Sequence, residues 1–553
     1  MLKRIIKHPL TYILVFSAII RLAMIKYGLP FWLYNDEPPF VLATLKMMQL
    51  KTVLPVLHPE AFKPFFYYPP YISYLFLPFF ILVIGVKFLF FHGSLSDLQT
   101  VIASDPSILF LTARIITIIL SLITIYLVYK ISLNLIKNKT SAYFSALIFA
   151  TSLMHISLSI TAKHWMPILL FFTLGLYVLT KENWSLNKRF YISAVIVGIG
   201  TGISTIVILF SFIMIFWYIF YEKKSILKMF IDPMMYKVAL IIIALFFIPV
   251  ALYPASLGFA PDMTLHDSKS IIGYIISPFI FPTVFVKTEP ILSVLFLIGL
   301  IFGIKRNRNF YLTTILFIIA YSLVFYTFFR FEYRFLLPLL LLLAIGASYG
   351  IKEIVERLSA KNAKIIVGII VIILITLSAR MSILGSRNDS RVIAKNWLEM
   401  NTRLDDKVIV YANLMRLPTT RSSIIEQEFI DPTSLRTNDK NEKDIKSELR
   451  NYRVFNALNL YNVKNENFYN NIVGYAKKNN YSYLVVSKLD FLNNTEQFSK
   501  VRELTKDARL IAKFGNNESG YSLAKTEIGP NLKPLFSITE FGPEIEIYKL
   551  LLN

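Results

Sequence analysis

Two adjacent carboxylates, Asp36 and Glu37, stand shortly after the first long apolar segment of the chain. Trp32 and Tyr34 precede them, and both residue types favour the membrane–water interface. The pair is either two solvated loop charges or a pair of acids that faces a polar cavity. In the second case a carboxylate would act as a general base on an acceptor hydroxyl, which is worth roughly 10²–10⁴-fold in rate.

Two arginines supply candidate phosphate ligands late in the apolar part of the chain. Arg330 and Arg334 are four residues apart, so they share one face if this segment is helical. Their guanidinium groups suit phosphate because they make forked, charge-assisted hydrogen bonds. The alternative is that both side chains simply extend to the interface beside the membrane.

Other candidates lie in short polar connections between apolar segments. Lys163 and His164 would add a cation and a proton donor to the same pocket, or they are ordinary interfacial loop residues. Lys63 and Tyr68 lie in a segment rich in aromatic residues and prolines, which predicts either a rigid aromatic groove or an interfacial belt. Arg114, at the start of an apolar segment, is a further phosphate candidate but reads more readily as structural.

The composition excludes several other chemistries. The chain has no cysteine, so disulfides, thiolate metal sites and cysteine nucleophiles are ruled out. The six histidines lack helical metal-site spacing; a divalent metal held by His58 and His266 stays open without support, and no cofactor is predicted with certainty. The net charge of +23 is explained better by basic inner loops that face anionic lipid than by binding to nucleic acid.

Long apolar segments must position these residues. The chain of 553 residues is 55% hydrophobic with a mean hydropathy of +0.56, and a helix needs roughly 20 apolar residues to cross a bilayer. We therefore predict a polytopic α-helical membrane protein of about 11–13 spans in residues 1–384, with a first outer loop over about 30–70. The predicted apolar helices are 10–29, 71–91, 108–136, 141–159, 166–180, 190–205, 206–221, 237–256, 291–304, 309–329, 335–351 and 364–384.

The charges of the connections assign sides to these helices. Basic connections belong inside, whereas 159–165, about 257–290 and 330–334 are poor in Lys and Arg and belong outside. One segment conflicts with this alternation, because a full crossing by 71–91 would invert every later loop. We therefore expect 71–91 to enter and return at a break near Pro78 and Gly85, or a further crossing to be hidden there.

Residues 385–553 differ in composition and contain only short apolar runs. Short runs rich in β-branched and aromatic residues predict strands at 407–411, 483–487 and 545–550, and a capped helix is predicted over 389–398. The side assignment places this segment outside the membrane. We predict a C-terminal extracytoplasmic α/β domain.

The order of these motifs resembles a known family. An Asp-Glu pair follows the first span, Tyr68-Pro69-Pro70 opens the next segment, and Thr112-Ala113-Arg114 begins the third. Tyr333–Pro338 lies late in the membrane part, and the chain ends in a soluble segment with Gly542–Tyr548. This layout resembles the family 39 glycosyltransferases of the GT-C class, which include dolichyl-phosphate-mannose protein mannosyltransferases and bacterial lipid A aminoarabinose transferases.

The resemblance implies an inverting glycosyltransferase. A sugar would leave a polyprenyl (dolichyl) phosphate and join a hydroxyl of a protein, lipid or glycan acceptor on the extracytoplasmic side of the cell membrane. The first-loop acid of the family maps to Asp36, with Glu37 beside it, and the late arginine maps to Arg334, near the donor phosphate with Arg330 or Lys163.

The chain also departs from the family pattern at one position. Relatives have an aspartate about two residues before a proline in the second outer loop, where this chain has Trp165. A second catalytic acid is therefore in doubt.

Three other functions compete with this reading. A polytopic transporter or lipid flippase with an outer accessory domain would place ionisable residues within its spans or show two matching halves, whereas these spans are almost free of acids and no two halves match. An oligosaccharyltransferase-like enzyme of the same broad class would carry a Trp-Trp-Asp-Tyr-Gly sequence, which is absent. A binding protein whose outer domain acts alone is the third alternative.

Overall fold

The computed structural model describes residues 8–34, 36–63, 65, 69–254, 271–328, 333–415, 417–435, 452–488, 495–515 and 532–551. Helices account for the first two thirds of the chain, and a five-stranded sheet with flanking helices follows. The helices up to the sheet are α1 (Pro9–Leu22), α2 (Glu37–Leu50), α3 (Pro59–Phe62), α4 (Tyr71–Leu89), α5 (Leu95–Ser104), α6 (Ser107–Ile136), α7 (Lys139–Thr151), α8 (Leu153–Ser159), α9 (Trp165–Leu179), α10 (Leu186–Gly200), α11 (Phe210–Phe220), α12 (Ile226–Met229), α13 (Pro233–Leu252), α14 (Ile271–Thr288), α15 (Pro290–Gly303), α16 (Arg308–Phe328), α17 (Leu337–Arg357) and α18 (Ala360–Ser386).

The sheet region comprises the elements that follow α18. Its helices are α19 (Ser390–Asn401), α20 (Arg421–Ile430), α21 (Glu466–Asn470), α22 (Ile472–Lys478), α23 (Thr495–Glu503) and α24 (Lys533–Ser537). Its strands are β1 (Lys407–Tyr411), β2 (Asn456–Asn459), β3 (Tyr481–Ser487), β4 (Ala508–Phe514) and β5 (Ile545–Leu550). Short 3₁₀ helices cover Pro55–Leu57, Thr205–Leu209, Tyr333–Leu336 and Pro432–Ser434.

The helical part is that of a polytopic membrane protein, as predicted. Within the described ranges, seven helices are long and apolar enough to cross a membrane, and the bent pair α7–α8 would make an eighth. Four further apolar helices of 10–17 residues, including α1 and α9, are shorter than a typical span.

Two predictions about the helical part are wrong. Helix α4 runs unbroken from Tyr71 to Leu89 with Pro78 inside it, so the break expected near Pro78 and Gly85 does not occur. Residues Ile271–Thr288, assigned to an outer connection, form the apolar helix α14. The alternation of charges led to both predictions. The prolines inside both helices are tolerated because neighbouring groups in a membrane protein satisfy the freed backbone.

A sharp bend separates α7 from α8, at an angle of 58°. Ser152 caps α8, and Glu289 Oε1 accepts hydrogen bonds from Ser152 Oγ at 2.7 Å and from the Met154 amide at 3.0 Å. On the other side of the bend, Arg21 Nη2 donates to the Ala150 carbonyl at 3.2 Å. The backbone groups at both helix ends beside the bend therefore have hydrogen-bond partners inside the protein, as irregular backbone within a membrane requires. The bend leads into the 160–164 connection that opens α9.

Glycines let α15 and α17 approach closely. A Cβ placed on Gly350 would lie 2.0 Å from the Leu295 carbonyl oxygen, and one on Gly299 would lie 2.6 Å from the Gly346 oxygen. Small residues at such crossings allow backbone contact between membrane helices, where van der Waals packing replaces the hydrophobic effect. The crossing fixes α17, whose N-terminal end carries the Tyr333–Leu336 turn.

The sheet has the strand order β2-β1-β3-β5-β4. Strand β1 pairs in parallel with β2 and β3, whereas β5 is antiparallel to β3 and β4. Alternate residues bury opposite faces: Ile409 and Leu484 pack on one side, and Val408 and Val485 on the other. The predicted strands and the predicted α19 helix are confirmed, and Asp389 accepts a hydrogen bond from the Arg391 amide at the α19 N-terminus.

Candidate active site

Asp36 directly precedes α2, and its carboxylate meets cations from two distant segments. Pro38 and Pro39 occupy the first turn of α2. Backbone N–H groups in this turn have no acceptor within the helix, so proline, which lacks an N–H, is tolerated there. Lys163 Nζ donates to Asp36 Oδ2 at 3.2 Å, and Arg334 Nη1 donates to the same oxygen. The Asp36 side chain is 44% exposed, whereas Lys163 is 1% exposed and Arg334 is 17% exposed. The carboxylate is therefore accessible to a ligand, whereas both of its cationic partners are mostly buried.

The local charges favour an ionised aspartate. Burial acts to raise the pKa of Asp36, but Lys163 and Arg334 outweigh it and lower the pKa to about 2. Burial lowers the pKa of Lys163, and Asp36 partly opposes this effect. Burial also lowers the pKa of the neighbouring His164 to about 3, so this imidazole is neutral at pH 7. The cluster has two cationic side chains for one carboxylate.

Glu37 lies in a different environment from its neighbour. Its side chain is fully buried, and Arg114 grips both oxygens, with Nε at 2.9 Å from Oε1 and Nη2 at 2.6 Å from Oε2. The Ala162 amide donates to Oε1 at 2.6 Å. Arg114 Nη1 also donates to the carbonyls of Ile25 and Tyr27, at 2.7 and 2.8 Å. One buried ion pair thus ties together α6, the residues before α2 and the 160–164 connection that carries Lys163.

Aromatic rings surround the cations. The Arg334 guanidinium carbon lies 5.8 Å from the centre of the Trp165 ring. The ring of His164 lies 4.5 Å from that of Trp165 and 5.2 Å from that of Phe40. Trp165, at the position where the resemblance led us to look for a second acid, is buried beside Arg334. The described residues contain no group of three His, Cys, Asp or Glu side chains that could hold a metal ion.

The remaining predicted site residues are placed elsewhere or not described. Lys63 is 75% exposed and pairs with Glu60 at 3.8 Å. Arg330 and Tyr68 lie outside the described residues. Sequence reasoning missed the Tyr27 carbonyl and the Ala162 amide as partners of the Glu37–Arg114 pair, because backbone groups leave no signal in residue type.

Residues 98–265 match the model of the dolichyl-phosphate-mannose-protein mannosyltransferase family. The match covers less than a third of the chain; it includes Arg114, Lys163 and His164 but neither Asp36 nor Arg334. No curated protein sequence matches significantly.

Solved structures give weak likenesses in addition. The archaeal oligosaccharyltransferase AglB from Archaeoglobus fulgidus, in complex with an inhibitory peptide and a dolichol-phosphate, aligns at 12% identity with a TM-score of 0.42, over 88% of this chain and 70% of that one. ArnT from Cupriavidus metallidurans, in the apo state, aligns at 11% identity with a TM-score of 0.37, over 73% of this chain and 82% of that one. Scores this low support no conclusion by themselves.

The family match confirms the resemblance drawn from the motifs. Over residues 98–265 the chain is similar to the protein mannosyltransferases, and this similarity favours a membrane glycosyltransferase. The transporter or flippase alternative is not favoured.

Proposed function

We propose that the protein transfers a sugar from a polyprenyl phosphate to a hydroxyl of a protein, lipid or glycan acceptor, on the outer side of the cell membrane and with inversion. Residues 1–384 would form the catalytic membrane part and residues 385–553 an extracytoplasmic domain. The observation that carries the proposal is the half-exposed Asp36 carboxylate. One of its two oxygens, Oδ2, accepts hydrogen bonds from both Lys163 and Arg334. This arrangement combines a base for a hydroxyl with cations for a phosphate.

Donor binding is the first step that the charges suggest. A phosphate group carries more oxygens and more negative charge than one carboxylate, so it competes with Asp36 for Lys163 and Arg334. Arg334 suits a phosphate at the membrane surface because its guanidinium is planar and always charged. As the cations turn to the phosphate, the pKa of Asp36 rises from about 2 toward its ordinary value, and the carboxylate becomes a stronger base.

Transfer then follows as a single displacement. Asp36 accepts the proton of the acceptor hydroxyl while that oxygen forms a bond to the anomeric carbon of the sugar. The bond from the anomeric carbon to the phosphate oxygen breaks, and its electron pair stays on the phosphate. Lys163 and Arg334 stabilise the charge that develops there. Attack opposite to the leaving phosphate inverts the anomeric centre.

Glu37, predicted as a catalytic-site neighbour of Asp36 or as a group that positions the acceptor, is assigned a different role. Its two oxygens already accept three hydrogen bonds from Arg114 and Ala162, and it is buried. We propose that Glu37 and Arg114 are positioning residues that hold Asp36 and Lys163 at a common depth. Phosphate binding by Arg330, Tyr68 and Lys63 stays a prediction.

The proposal is tested on the purified full chain in lipid nanodiscs. The chain is incubated with mannosyl, glucosyl and aminoarabinosyl phosphates of dolichol and undecaprenol, each labelled in the sugar, together with solubilised membrane acceptors. We expect label to enter an acceptor with release of polyprenyl phosphate for at least one donor. Asp36→Asn should lower that rate by about 10²–10⁴-fold, whereas the control Asp105→Asn, at an exposed residue between α5 and α6, should not. A rate unchanged in Asp36→Asn would refute the assignment of the base.

A further inference from the structure

The sheet region contacts the candidate active-site loop through one tyrosine. Tyr27 lies between α1 and α2, and its hydroxyl donates to Asp389 Oδ2 at 2.6 Å. Asp389 directly precedes α19 and is 1% exposed. The Tyr27 ring also packs edge-on against Phe541, with ring centres 5.7 Å apart. A residue of the first loop is therefore held by two segments of the sheet region that are far apart in sequence.

The Asp389 carboxylate is itself held rigidly. Arg391 grips both of its oxygens, at 2.7 and 2.9 Å, and the Arg391 amide donates to Oδ1 at 3.1 Å. Gly542 lies against it with a φ of +112°, and a Cβ on that glycine would be 2.6 Å from Asp389 Oδ1. Only glycine fits this backbone and this space. The Gly542-Pro543 motif has no role in the proposed reaction. Its glycine leaves the space in which the Asp389 carboxylate accepts the hydrogen bond from Tyr27.

The other side of Tyr27 leads to the proposed base. The Tyr27 carbonyl accepts a hydrogen bond from Arg114 Nη1 at 2.8 Å. Arg114 in turn grips both oxygens of Glu37, which is the residue next to Asp36. All of these groups are buried, so the contacts are shielded from competing water.

We infer that Asp389 and Tyr27 are positioning residues for Asp36, so that the sheet region sets the geometry of the catalytic loop. The inference rests on the proposed function, because it assumes that Asp36 acts as the base. Under this inference the sheet region supports catalysis by positioning the catalytic loop, and it is not a separate binding domain. A displacement of about 1 Å at a reacting group costs on the order of 10²-fold in rate, so loosening of this chain of contacts has a measurable effect.

The test compares Tyr27→Phe, Asp389→Asn and the double variant in the full chain. Asparagine is also a good helix N-cap, so Asp389→Asn keeps the start of α19. The matched control is Tyr475→Phe, which removes a similar tyrosine–carboxylate hydrogen bond of 2.6 Å to Glu426 within the sheet region. Each variant is measured for kcat with the best donor of the panel, for dolichyl phosphate affinity and for thermal unfolding.

We expect each single variant to lower kcat at least tenfold while the affinity for dolichyl phosphate changes less than twofold. Tyr27→Phe should add little to the loss already caused by Asp389→Asn, because both changes act on the Tyr27–Asp389 hydrogen bond, whereas Asp389→Asn also weakens the contacts to Arg391. The control should keep the wild-type kcat. Wild-type kcat in Tyr27→Phe, combined with an inactive Asp36→Asn, would overturn the positioning role alone. Full activity in Asp36→Asn would overturn the proposed function, and the inference with it.

Discussion

Replacing Asp36 by Asn should separate catalysis from phosphate binding. The free protein holds Lys163 and Arg334 against Asp36 Oδ2, so a donor phosphate must displace a carboxylate to reach them. Asparagine has nearly the same size but no charge, and it leaves both cations available. We therefore expect Asp36→Asn to bind dolichyl phosphate more tightly than the wild type while its transfer rate falls.

The size of this gain follows from the contacts. A hydrogen bond between charged groups contributes about 1.5–3 kcal/mol. Asp36 is 44% exposed, and solvent screening brings the sum of its two bonds to about 1.5 kcal/mol. At 1.4 kcal/mol per factor of ten, dolichyl phosphate should bind about tenfold more tightly.

Equilibrium binding of tritiated dolichyl phosphate to the full chain in nanodiscs measures the effect, with Asp105→Asn as the control. Loss of Asp36 also removes the influence that raises the pKa of Lys163, so this lysine loses its proton more readily. The gain in affinity should therefore be larger at pH 6 than at pH 8. An affinity equal to or weaker than that of the wild type at both pH values would refute the competition between Asp36 and phosphate.

Four further predictions follow from the structure. Glu37→Gln should lower the free energy of unfolding by about 3–5 kcal/mol, because it leaves Arg114 charged and buried without a carboxylate; chemical denaturation in mild detergent measures this. The kcat/KM for the donor should show no acidic limb near about pH 4, because the free protein holds the pKa of Asp36 at about 2. An acidic limb of kcat/KM near pH 4 would contradict this pKa. For the same reason the contribution of Asp36 to the free energy of unfolding should be complete above its ordinary pKa of 3.8 and should be lost as the pH falls toward 2. Gly350→Ala should destabilise the protein by about 3 kcal/mol or more because its Cβ meets backbone, whereas Gly368→Ala, in open space, should not lower the melting temperature.

Much of the architecture could be predicted from the sequence. Lipid offers no partners to backbone groups, so long apolar runs such as 108–136 have to be helices whatever surrounds them. The short apolar run of β1 and the alternation in β5 likewise indicate strands from residue type alone. Helix α14 was not predicted because its segment was assigned to a connection by its scarcity of Lys and Arg, and whether its two internal prolines are tolerated depends on neighbouring helices.

The candidate site divides in the same way. Residue type and predicted side were sufficient to propose Asp36, Lys163 and Arg334 as one cluster, because basic residues at an outer membrane boundary run against the positive-inside bias. The different environments of Asp36 and Glu37 could not be predicted, since neighbours in sequence with the same charge look equivalent.

Only the tertiary structure decided which carboxylate is half exposed between two cations and which is buried under Arg114. It also decided that Tyr27 meets Asp389, across most of the chain. The physical reason is that membrane insertion depends on the composition of each segment alone, whereas an ion pair depends on where several packed helices bring their ends. The composition of a segment can be read from the sequence, but the distance between two charged groups is set only when the helices have packed.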